Sequence, residues 1–355
     1  MTRVTLQTIA DLLGVSRMTV SNAFSHPDQL SAELRDRILA TAEELGYAGP
    51  DPAGRALARG SSGAVGVLLT DSLVEAFTDE VATSFLGALV DELASTGLAL
   101  TLLPASDRDD VIAARDLALD GALIYSCRPE SAARDWLLRR KLPLVFVDQD
   151  PVSGIPTVNV DDAGGARAAA QHLLDLGHRR IGIVTRSVDG TSGVITDLAP
   201  AQAGHPQRER MRGWLAALRD AGVEPVVAIA PESSDDAVGD ATRELLTAGN
   251  RPTALLCFSD VVALGAIAAA ADLGLSVPDD LSVVGFDDTP AARRSSPSLT
   301  TVRQDVEEKG RAAARALVTA IARSRGTSKA RARHVLLPTE LVLRRSTRSI
   351  EDHPA

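Results

Sequence analysis

The side chains best suited to recognising another molecule lie in the stretch GVSRMTVSNAF, residues 14–24. Arg17 can hold a guanine with two parallel hydrogen bonds, Asn22 suits an adenine, and Met18 can pack against a thymine methyl group. Ser16 is a favoured N-cap, so it predicts a helix that starts just after the glycine ending an earlier one. The stretch therefore favours a helix-turn-helix that presents its second helix to DNA, although an ordinary pair of packed helices would show the same spacing.

Positive charge around this stretch is scarce. The chain has a formal net charge of -10, and residues 1–60 contain six arginines and seven acidic residues. Because non-specific affinity for DNA comes from cations near phosphates, we expect that affinity to be modest. Specific base contacts and dimerisation would have to supply the rest.

Short helices are predicted throughout residues 1–48. The first helix follows Thr5, a favoured N-cap, and has one apolar face. The third helix follows Ser31, another favoured N-cap, and ends at Gly46. Residues 49–63 are rich in glycine and proline, which indicates a linker. Within that linker, PAGRALARG has the composition of a short, marginal helix.

From residue 64 onward, apolar strand-like runs alternate with amphipathic helical segments. The runs include AVGVLLT, GALIY, LPLVFVD, RIGIVT, ALLCF and LSVVGFD. Near-continuous Val, Ile and Leu runs between helices are typical of parallel sheets covered on both faces. We therefore predict an α/β core over residues 64–345 and a tail over residues 346–355. The segment TVNVDDAGG, residues 157–165, is a candidate crossing point between two sheets.

A membrane or exported protein is disfavoured. The longest apolar run, residues 261–271, is shorter than the roughly 20 residues that span a bilayer, and we interpret it as a buried helix. Asp11 interrupts the place where a signal peptide would need its apolar segment, so we expect a cytoplasmic protein. Cys127 and Cys257 each lie in an apolar run, which favours inert core thiols over a disulfide framework or a zinc site.

Enzyme motifs are also missing from the sequence. It contains no phosphate-binding G-x-x-x-x-G-K-[ST], no complete G-x-G-x-x-G, no G-x-S-x-G and no H-E-x-x-H. We therefore expect neither catalysis nor a cofactor nor a bound metal.

The stretch VTLQTIADLLGVSRMTVSNAF, followed by LSAELRDRILATAEELGY, resembles the DNA-binding head of the lactose-repressor and galactose-repressor family of bacterial regulators. The similarity continues through VNVDDAGGARAAAQHLLDLGHRRIGIV, RPTALLCFSDVVALGAIAAAADLGLSVPDDLSVVGFDD and SPSLTTVRQDVEEKG. It implies a head, a hinge helix within residues 49–63, and a two-lobed core similar to periplasmic sugar-binding proteins. It also implies an N-lobe of about residues 64–160 and 292–325, and a C-lobe of about residues 161–291 and 326–345.

The resemblance also implies DNA contacts, residue by residue. The family's base-reading positions fall on Arg17, Met18 and Asn22. Its phosphate-contact positions fall on Thr5, Ser16, Thr19, Ser21 and Ser31. Leu57 matches a leucine that the family inserts into the minor groove at the operator centre, where an apolar wedge favours bent DNA. An arginine is common in the family at the position of Asn22, so we expect an operator unlike those of well-known relatives.

Effector contacts implied by the resemblance lie mainly where core strands end, the place where ligands gather in open α/β sheets. They are Asp71, Phe77, Asp148, Arg210, Ser259 and Asp287. Carboxylates accept from hydroxyl groups and a guanidinium donates, so the set suits a polyhydroxylated ligand. Only 3% of the residues are aromatic, which leaves few rings to stack on a sugar, so a purine-like or other small metabolite is an alternative.

These features predict a cytoplasmic transcriptional regulator, a repressor that binds a pseudo-palindromic operator in double-stranded DNA as a homodimer and responds to an effector between its lobes. The alternative from another class is a plain small-molecule-binding protein of the sugar-binding type, for which the core alone would suffice. The fused helix-turn-helix and the missing export signal favour the regulator.

Overall fold

A computed structural model describes residues 4–69, 73–104, 113–125, 131–187, 192–195, 204–231 and 234–350. The chain divides into two compact units, residues 1–63 and residues 64–355. The division falls at the predicted end of the linker, and the linker residues cluster with the head.

The described part of the head unit contains helices α1 Leu6–Leu13, α2 Arg17–Ser25, α3 Ala32–Glu44 and α4 Pro52–Arg59. The first three begin at the predicted N-caps, because the hydroxyl groups of Thr5, Ser16 and Ser31 accept hydrogen bonds from backbone N–H groups three residues later, at 3.3, 3.0 and 3.4 Å. Helix α4 confirms the helix predicted in PAGRALARG.

One small apolar core joins α1, α2 and α3. It is formed by the buried side chains of Ile9, Ala10, Val20, Ala23, Ile38 and Ala42. Phe24 packs against this core and meets Tyr47 edge-to-face, with the ring centroids 5.9 Å apart. Because the core uses one face of α2, the opposite face of that helix is left for another partner.

The first sheet of the core unit consists of parallel strands in the order β12-β5-β4-β3-β1-β2. Their bounds are β1 Ala64–Leu69, β2 Ala99–Pro104, β3 Gly121–Tyr125, β4 Leu144–Val147, β5 Thr157–Val160 and β12 His334–Leu337. These strands confirm the predicted parallel α/β architecture.

The second sheet has the order β13-β11-β10-β9-β6-β8-β7. Its strands are β6 Ile181–Arg186, β7 Gly193–Ile195, β8 Val226–Ala230, β9 Ala254–Cys257, β10 Ser282–Asp287, β11 Thr300–Gln304 and β13 Thr339–Val342. The two edge strands, β7 and β13, run antiparallel to their neighbours, and the described strands between them are parallel.

Helices cover both sheets. They are α5 Leu73–Thr78, α6 Glu80–Leu93, α7 Ala113–Asp116, α8 Ala132–Arg139, α9 Asp162–Asp175, α10 His205–Asp220, α11 Asp235–Thr247, α12 Asp260–Asp272, α13 Pro290–Arg294 and α14 Val306–Ser324. Helix α12 contains the apolar run of residues 261–271, for which the sequence predicts a buried helix. Cys257 is buried in β9, and burial raises the pKa of its thiol well above the ordinary value. Cys127 lies outside the described residues.

Two of the predicted lobe boundaries are wrong. The predicted first lobe includes residues 292–325, yet β11 pairs with β10 in the second sheet, and within that range α14 packs with the first sheet. The predicted second lobe includes residues 326–345, yet β12 pairs with β5 in the first sheet. The chain therefore crosses between β11 and α14 and again between β12 and β13. The predicted crossing at residue 160 agrees with the change from β5 to α9.

The segment predicted as a tail is also part of the core as far as residue 350. Ser346 is fully buried; its hydroxyl group donates to the carbonyl of Val283 at 2.6 Å and accepts from the N–H of Thr300 at 2.8 Å. Ile350 donates its N–H to the carbonyl of Leu176 at 3.0 Å. The polar composition of this segment conceals these contacts, because they use backbone and hydroxyl groups. In the part of the chain that is described, no helix is long and apolar enough to cross a membrane.

Candidate functional site

The outward face of α2 carries the side chains predicted to read bases. Arg17 is exposed, Met18 is 68% exposed, and Asn22 is half-buried, whereas Val20 and Ala23 on the opposite face are buried. Thr19 and Ser21 are half-buried on the same helix. The buried residues Val20 and Ala23 lie three positions apart, the spacing of one face of an amphipathic helix. The packing that forms the head core therefore orients the polar side chains of α2 away from that core.

The hydroxyl groups predicted to contact phosphates lie at helix N-termini. Thr5, Ser16 and Ser31 cap α1, α2 and α3, and the Ser16 hydroxyl also hydrogen-bonds to the Thr19 hydroxyl at 2.8 Å. Backbone N–H groups and the positive end of the helix dipole favour an anion at such positions. The caps therefore serve the fold of the head, and the same helix starts are chemically suited to phosphate oxygens.

Leu57 lies on α4 with 87% of its surface exposed. A large apolar side chain in that environment gains little from packing within the head unit. This exposure is compatible with a role in contacting another molecule.

A buried cluster of charged side chains lies at the ends of several core strands. At its centre, the guanidinium of Arg210 on α10 donates to Asp162 Oδ1 at 2.8 Å, to the carbonyl of Phe258 at 2.6 Å and to Asp287 Oδ1 at 3.3 Å. The same guanidinium lies over the ring of Phe286, 3.6 Å from its centroid. Arg210 is thereby held in one position by α9, by β10 and by Phe258, the residue that follows β9.

Close packing of α9 and α10 depends on Gly213, which lies one turn after Arg210. A Cβ at Gly213 would overlap the carbonyl oxygen of Ala163 in the first turn of α9. Glycine therefore lets α10 approach the N-terminus of α9 closely enough for Arg210 to reach Asp162.

Asp287 ends β10 with a φ of 115°, a backbone conformation that is uncommon for any residue except glycine. Its Oδ1 accepts from Gln304 Nε2 at 2.6 Å as well as from Arg210. Burial raises the pKa of Asp287 to about 7, although the positive charge of Arg210 acts in the opposite direction. Asp287 therefore titrates close to neutral pH.

Asp148 follows β4 and also has a positive φ, of 53°. Its Oδ2 accepts from the ammonium group of Lys309 at 2.7 Å, and that group also donates to Gln304 Oε1 at 2.9 Å. Lys309, on the first turns of α14, is only 1% exposed. A continuous polar chain therefore runs from Asp148 in the first lobe through Lys309 and Gln304 to Asp287 in the second.

Two acceptor atoms in this cluster lack partners among the described residues. Asp148 Oδ1 and Asp162 Oδ2 are both buried and receive no hydrogen bond. Burial raises the pKa of Asp162, and the nearby negative charge of Asp148 raises it further, while Arg210 lowers it. Buried acceptors without donors are costly, so this arrangement suits a bound molecule that supplies hydroxyl or other donor groups.

Each of the two units matches a known protein family. Residues 5–49 match the bacterial regulatory proteins of the lacI family, and residues 170–347 match the periplasmic binding protein-like domain. The transcriptional regulator IpsA of Corynebacterium glutamicum is 39% identical over 319 residues, which cover 86% of this chain and 88% of IpsA. The repressor CytR of Escherichia coli is 30% identical, with 98% of each chain covered. The lac repressor dimer bound to operator and the anti-inducer ONPF is 26% identical with a TM-score of 0.76, over 98% of this chain and 99% of that one.

The chain belongs to the lacI family of bacterial regulatory proteins. This lacI-family protein is a DNA-binding transcriptional regulator, not an enzyme, and its core has the fold of proteins that bind small-molecule effectors.

The remaining predicted effector contacts of this lacI-family core are only partly joined to the cluster. Ser259 is half-buried at the N-cap of α12, where its hydroxyl accepts from the N–H of Val262 at 3.3 Å. Phe77 is 64% exposed on α5. Asp71 lies outside the described residues. The structure thus brings together Asp148, Arg210 and Asp287, with Ser259 directly after Phe258, a residue that also contacts Arg210.

Several polar residues of the site were not identified from the sequence. Lys309, Gln304 and Asp162 complete the buried cluster. A second polar group joins the two lobes beside this cluster: His205 Nδ1 on α10 lies 2.8 Å from Asp150 Oδ1, and Arg208 donates to Asp150 Oδ2 at 2.5 Å.

The sequence carries one recognisable signal for the burial of Lys309. This residue lies four and eight positions before the buried Ala313 and Leu317, on the core-facing side of α14. In the described residues no group of His, Cys, Asp and Glu side chains could hold a metal ion.

Proposed function

We propose that this regulator is a cytoplasmic repressor that binds a pseudo-palindromic operator as a homodimer, and that a small polyhydroxylated effector held in the core controls this binding. The observation that carries the DNA-binding part is the outward face of α2, where Arg17, Met18 and Asn22 lie opposite a buried apolar face. The similar protein CytR is a repressor, and the similar lac repressor structure is a dimer on its operator. A two-fold dimer presents two equal heads, which is why the site should be pseudo-palindromic.

In this proposal, Arg17 reads a base pair directly, and Met18 and Asn22 set the preference at neighbouring pairs. The helix starts at Thr5, Ser16 and Ser31, together with the hydroxyl groups of Thr19 and Ser21, contact phosphates. Leu57 inserts into the minor groove, where an exposed apolar side chain can separate a base step. Because the head has few arginines, its non-specific attraction to phosphates should be modest, and base contacts and dimerisation must supply much of the operator affinity.

Selection of bound sequences from a randomised DNA duplex library tests the proposal directly. The full-length protein should enrich a pseudo-palindrome, and enrichment of asymmetric single half-sites would contradict a two-fold dimer. Arg17→Ala should cost about 1–3 kcal/mol on the enriched site and relax preference at one position of each half-site. An equal loss of affinity on every sequence would make Arg17 a phosphate contact.

The effector is proposed to bind at the buried cluster, with Asp148, Arg210, Ser259 and Asp287 as its contacts. The unpartnered oxygens of Asp148 and Asp162 can accept from hydroxyl groups, while the guanidinium of Arg210 can donate. Asp71, which lies outside the described residues, and Phe77 on α5 are proposed to meet the ligand when the lobes close. An effector can shift operator affinity only as far as it binds one lobe arrangement better than another.

Ligand screening of the purified protein by thermal shift, followed by titration against operator-bound protein, identifies the effector and distinguishes an inducer from a corepressor. Asp287→Ala should abolish the response to that ligand and leave operator binding without ligand nearly unchanged. Asp220→Ala, which removes an exposed acid that pairs with Arg167 on the same lobe, is the matched control. An Asp287→Ala protein that responds at wild-type ligand concentrations would show that the effector binds elsewhere.

A further inference from the structure

Gln29 is an exposed head residue whose side chain reaches the outward face of α2. It ends a single 3-10 turn, Pro27–Gln29, that is separated from α2 by His26 alone. Its amide oxygen Oε1 accepts a hydrogen bond from Nδ2 of Asn22 at 3.1 Å. This bond connects the recognition helix to the turn that follows it. In contrast, the exposed bonds from Gln7 to Asp11 and from the Thr41 hydroxyl to the carbonyl of Arg37 each lie within a single helix.

The backbone on both sides of Gln29 is held in place. Its N–H donates to the carbonyl of His26 at 3.0 Å, and the N–H of His26 donates to the carbonyl of Asn22 at 2.8 Å. The next residue, Leu30, packs against the apolar core of the head. The Gln29 side chain therefore starts from a fixed point relative to Asn22, and the bond between them restricts the rotation of the Asn22 amide.

We propose that Gln29 is a specificity-determining positioning residue of the DNA-recognition surface. An asparagine amide has two N–H donors and one oxygen acceptor. Once one N–H of Asn22 is bound to Gln29, the other N–H and Oδ1 remain as a donor and acceptor pair. That pair is complementary to the N7 acceptor and N6 amino donor of adenine in the major groove. Gln29 thus turns Asn22 towards adenine without itself touching a base.

The inference rests on the proposed base-reading role of Asn22, and it predicts how substitutions at position 29 alter base preference. Gln29→Met keeps the length of the side chain but removes the hydrogen bond, so adenine preference at the Asn22 base pair should fall about fivefold to tenfold. Gln29→Glu can only accept and should keep the preference for adenine. Gln29→Lys can only donate, so it should hold Asn22 Oδ1, turn both N–H groups to the base, and favour the two acceptors of guanine.

The experiment selects sequences from a randomised duplex library with the full-length protein and each variant. Comparing base ratios within each library cancels the uniform effect of the charges added by Glu or Lys on phosphate attraction. Asn22→Ala alone and combined with Gln29→Met shows whether Gln29 acts through Asn22. Thr41→Val, which removes an exposed side-chain bond on α3, is the control and should leave all base ratios unchanged.

The expected result is a change confined to the base pair that Asn22→Ala also affects, with no further change in the double variant. Unaltered base ratios in Gln29→Met would overturn the inference, and so would a change that persists without Asn22, since Gln29 would then contact a base itself. If Asn22→Ala alters no base ratio, the base-reading role of Asn22 and the inference both fail. If the unmodified protein enriches no sequence, it is the proposed function that fails.

Discussion

Replacing Lys309 with methionine tests whether the ion pair at the centre of the core is essential to its stability. The Lys309 side chain is 2% exposed and that of Asp148 is 5% exposed, and their charged atoms are 2.7 Å apart. Methionine has nearly the same length and fills the same space, but it supplies neither the charge nor the two hydrogen bonds to Asp148 and Gln304. The substitution would leave the Asp148 carboxylate without a bonded donor on either oxygen, because its Oδ1 is already unpartnered.

The expected loss follows from this burial. Removing one partner of a buried ion pair costs about 3–5 kcal/mol, since the other charge remains desolvated and unpaired, whereas an exposed pair contributes at most about 1 kcal/mol. The cluster has three acidic side chains, Asp148, Asp162 and Asp287, and two cations, Arg210 and Lys309. Without Lys309 the three acidic side chains face one cation, Arg210, so we expect the upper part of that range.

Equilibrium unfolding in urea, followed by tryptophan fluorescence, measures the loss, because Trp136 packs in the first lobe and Trp214 is buried in the second. Asp148→Asn combined with Lys309→Met removes both charges and should recover at least about 1 kcal/mol relative to the single variant. A loss below about 1 kcal/mol for Lys309→Met, with no recovery in the double variant, would refute the reasoning, because it would mean that the ammonium group is solvated.

The folded pKa of Asp287, about 7, lies above its unfolded value of roughly 4, so the folded state binds the extra proton and stability from this group declines as pH rises between those values. Asp287→Asn should remove that decline, and a stability difference from wild type that is constant between pH 5 and pH 8 would contradict the assignment. Gly213→Ala should destabilise the core by about 1–3 kcal/mol in urea unfolding, because its methyl group overlaps the Ala163 carbonyl. Leu57→Ala should weaken operator binding and reduce DNA bending in gel-shift assays while the melting of the head is unchanged; unaltered affinity and bending would exclude a wedge.

Much of the head could be predicted because its signals are local. Thr5, Ser16 and Ser31 each lie at the start of a helix, and a cap needs only the three residues that follow it. The bond between Asn22 and Gln29 was not predictable in this way. It joins residues seven apart across a turn, and no periodic pattern relates the two side chains.

The core was predictable where strands are apolar and not where they are short or polar. Strands such as β1 and β10 are continuous buried runs, so their type and direction follow from composition. The edge strands β7 and β13 and the polar strand β11 carry no such signal. The errors in the lobe boundaries have the same origin: β12 and β13 are separated by Pro338 alone, so the chain changes sheets within one residue.

Lys309 shows why sequence reasoning missed the centre of the site. In the segment VEEKG it follows two acidic residues at a helix start, and a lysine in that setting usually belongs to a solvated face. Its burial arises from tertiary structure, because the crossing from β11 to α14 carries it between Asp148 of one lobe and Gln304 of the other. Gln304 in turn holds Asp287, where the effector is proposed to bind. A ligand that donates to Asp148 or alters the charge of Asp287 acts on a chain of hydrogen bonds whose two ends belong to different lobes. Hydrogen bonds in a buried network polarise one another, so a change at one end affects the bonds at the other.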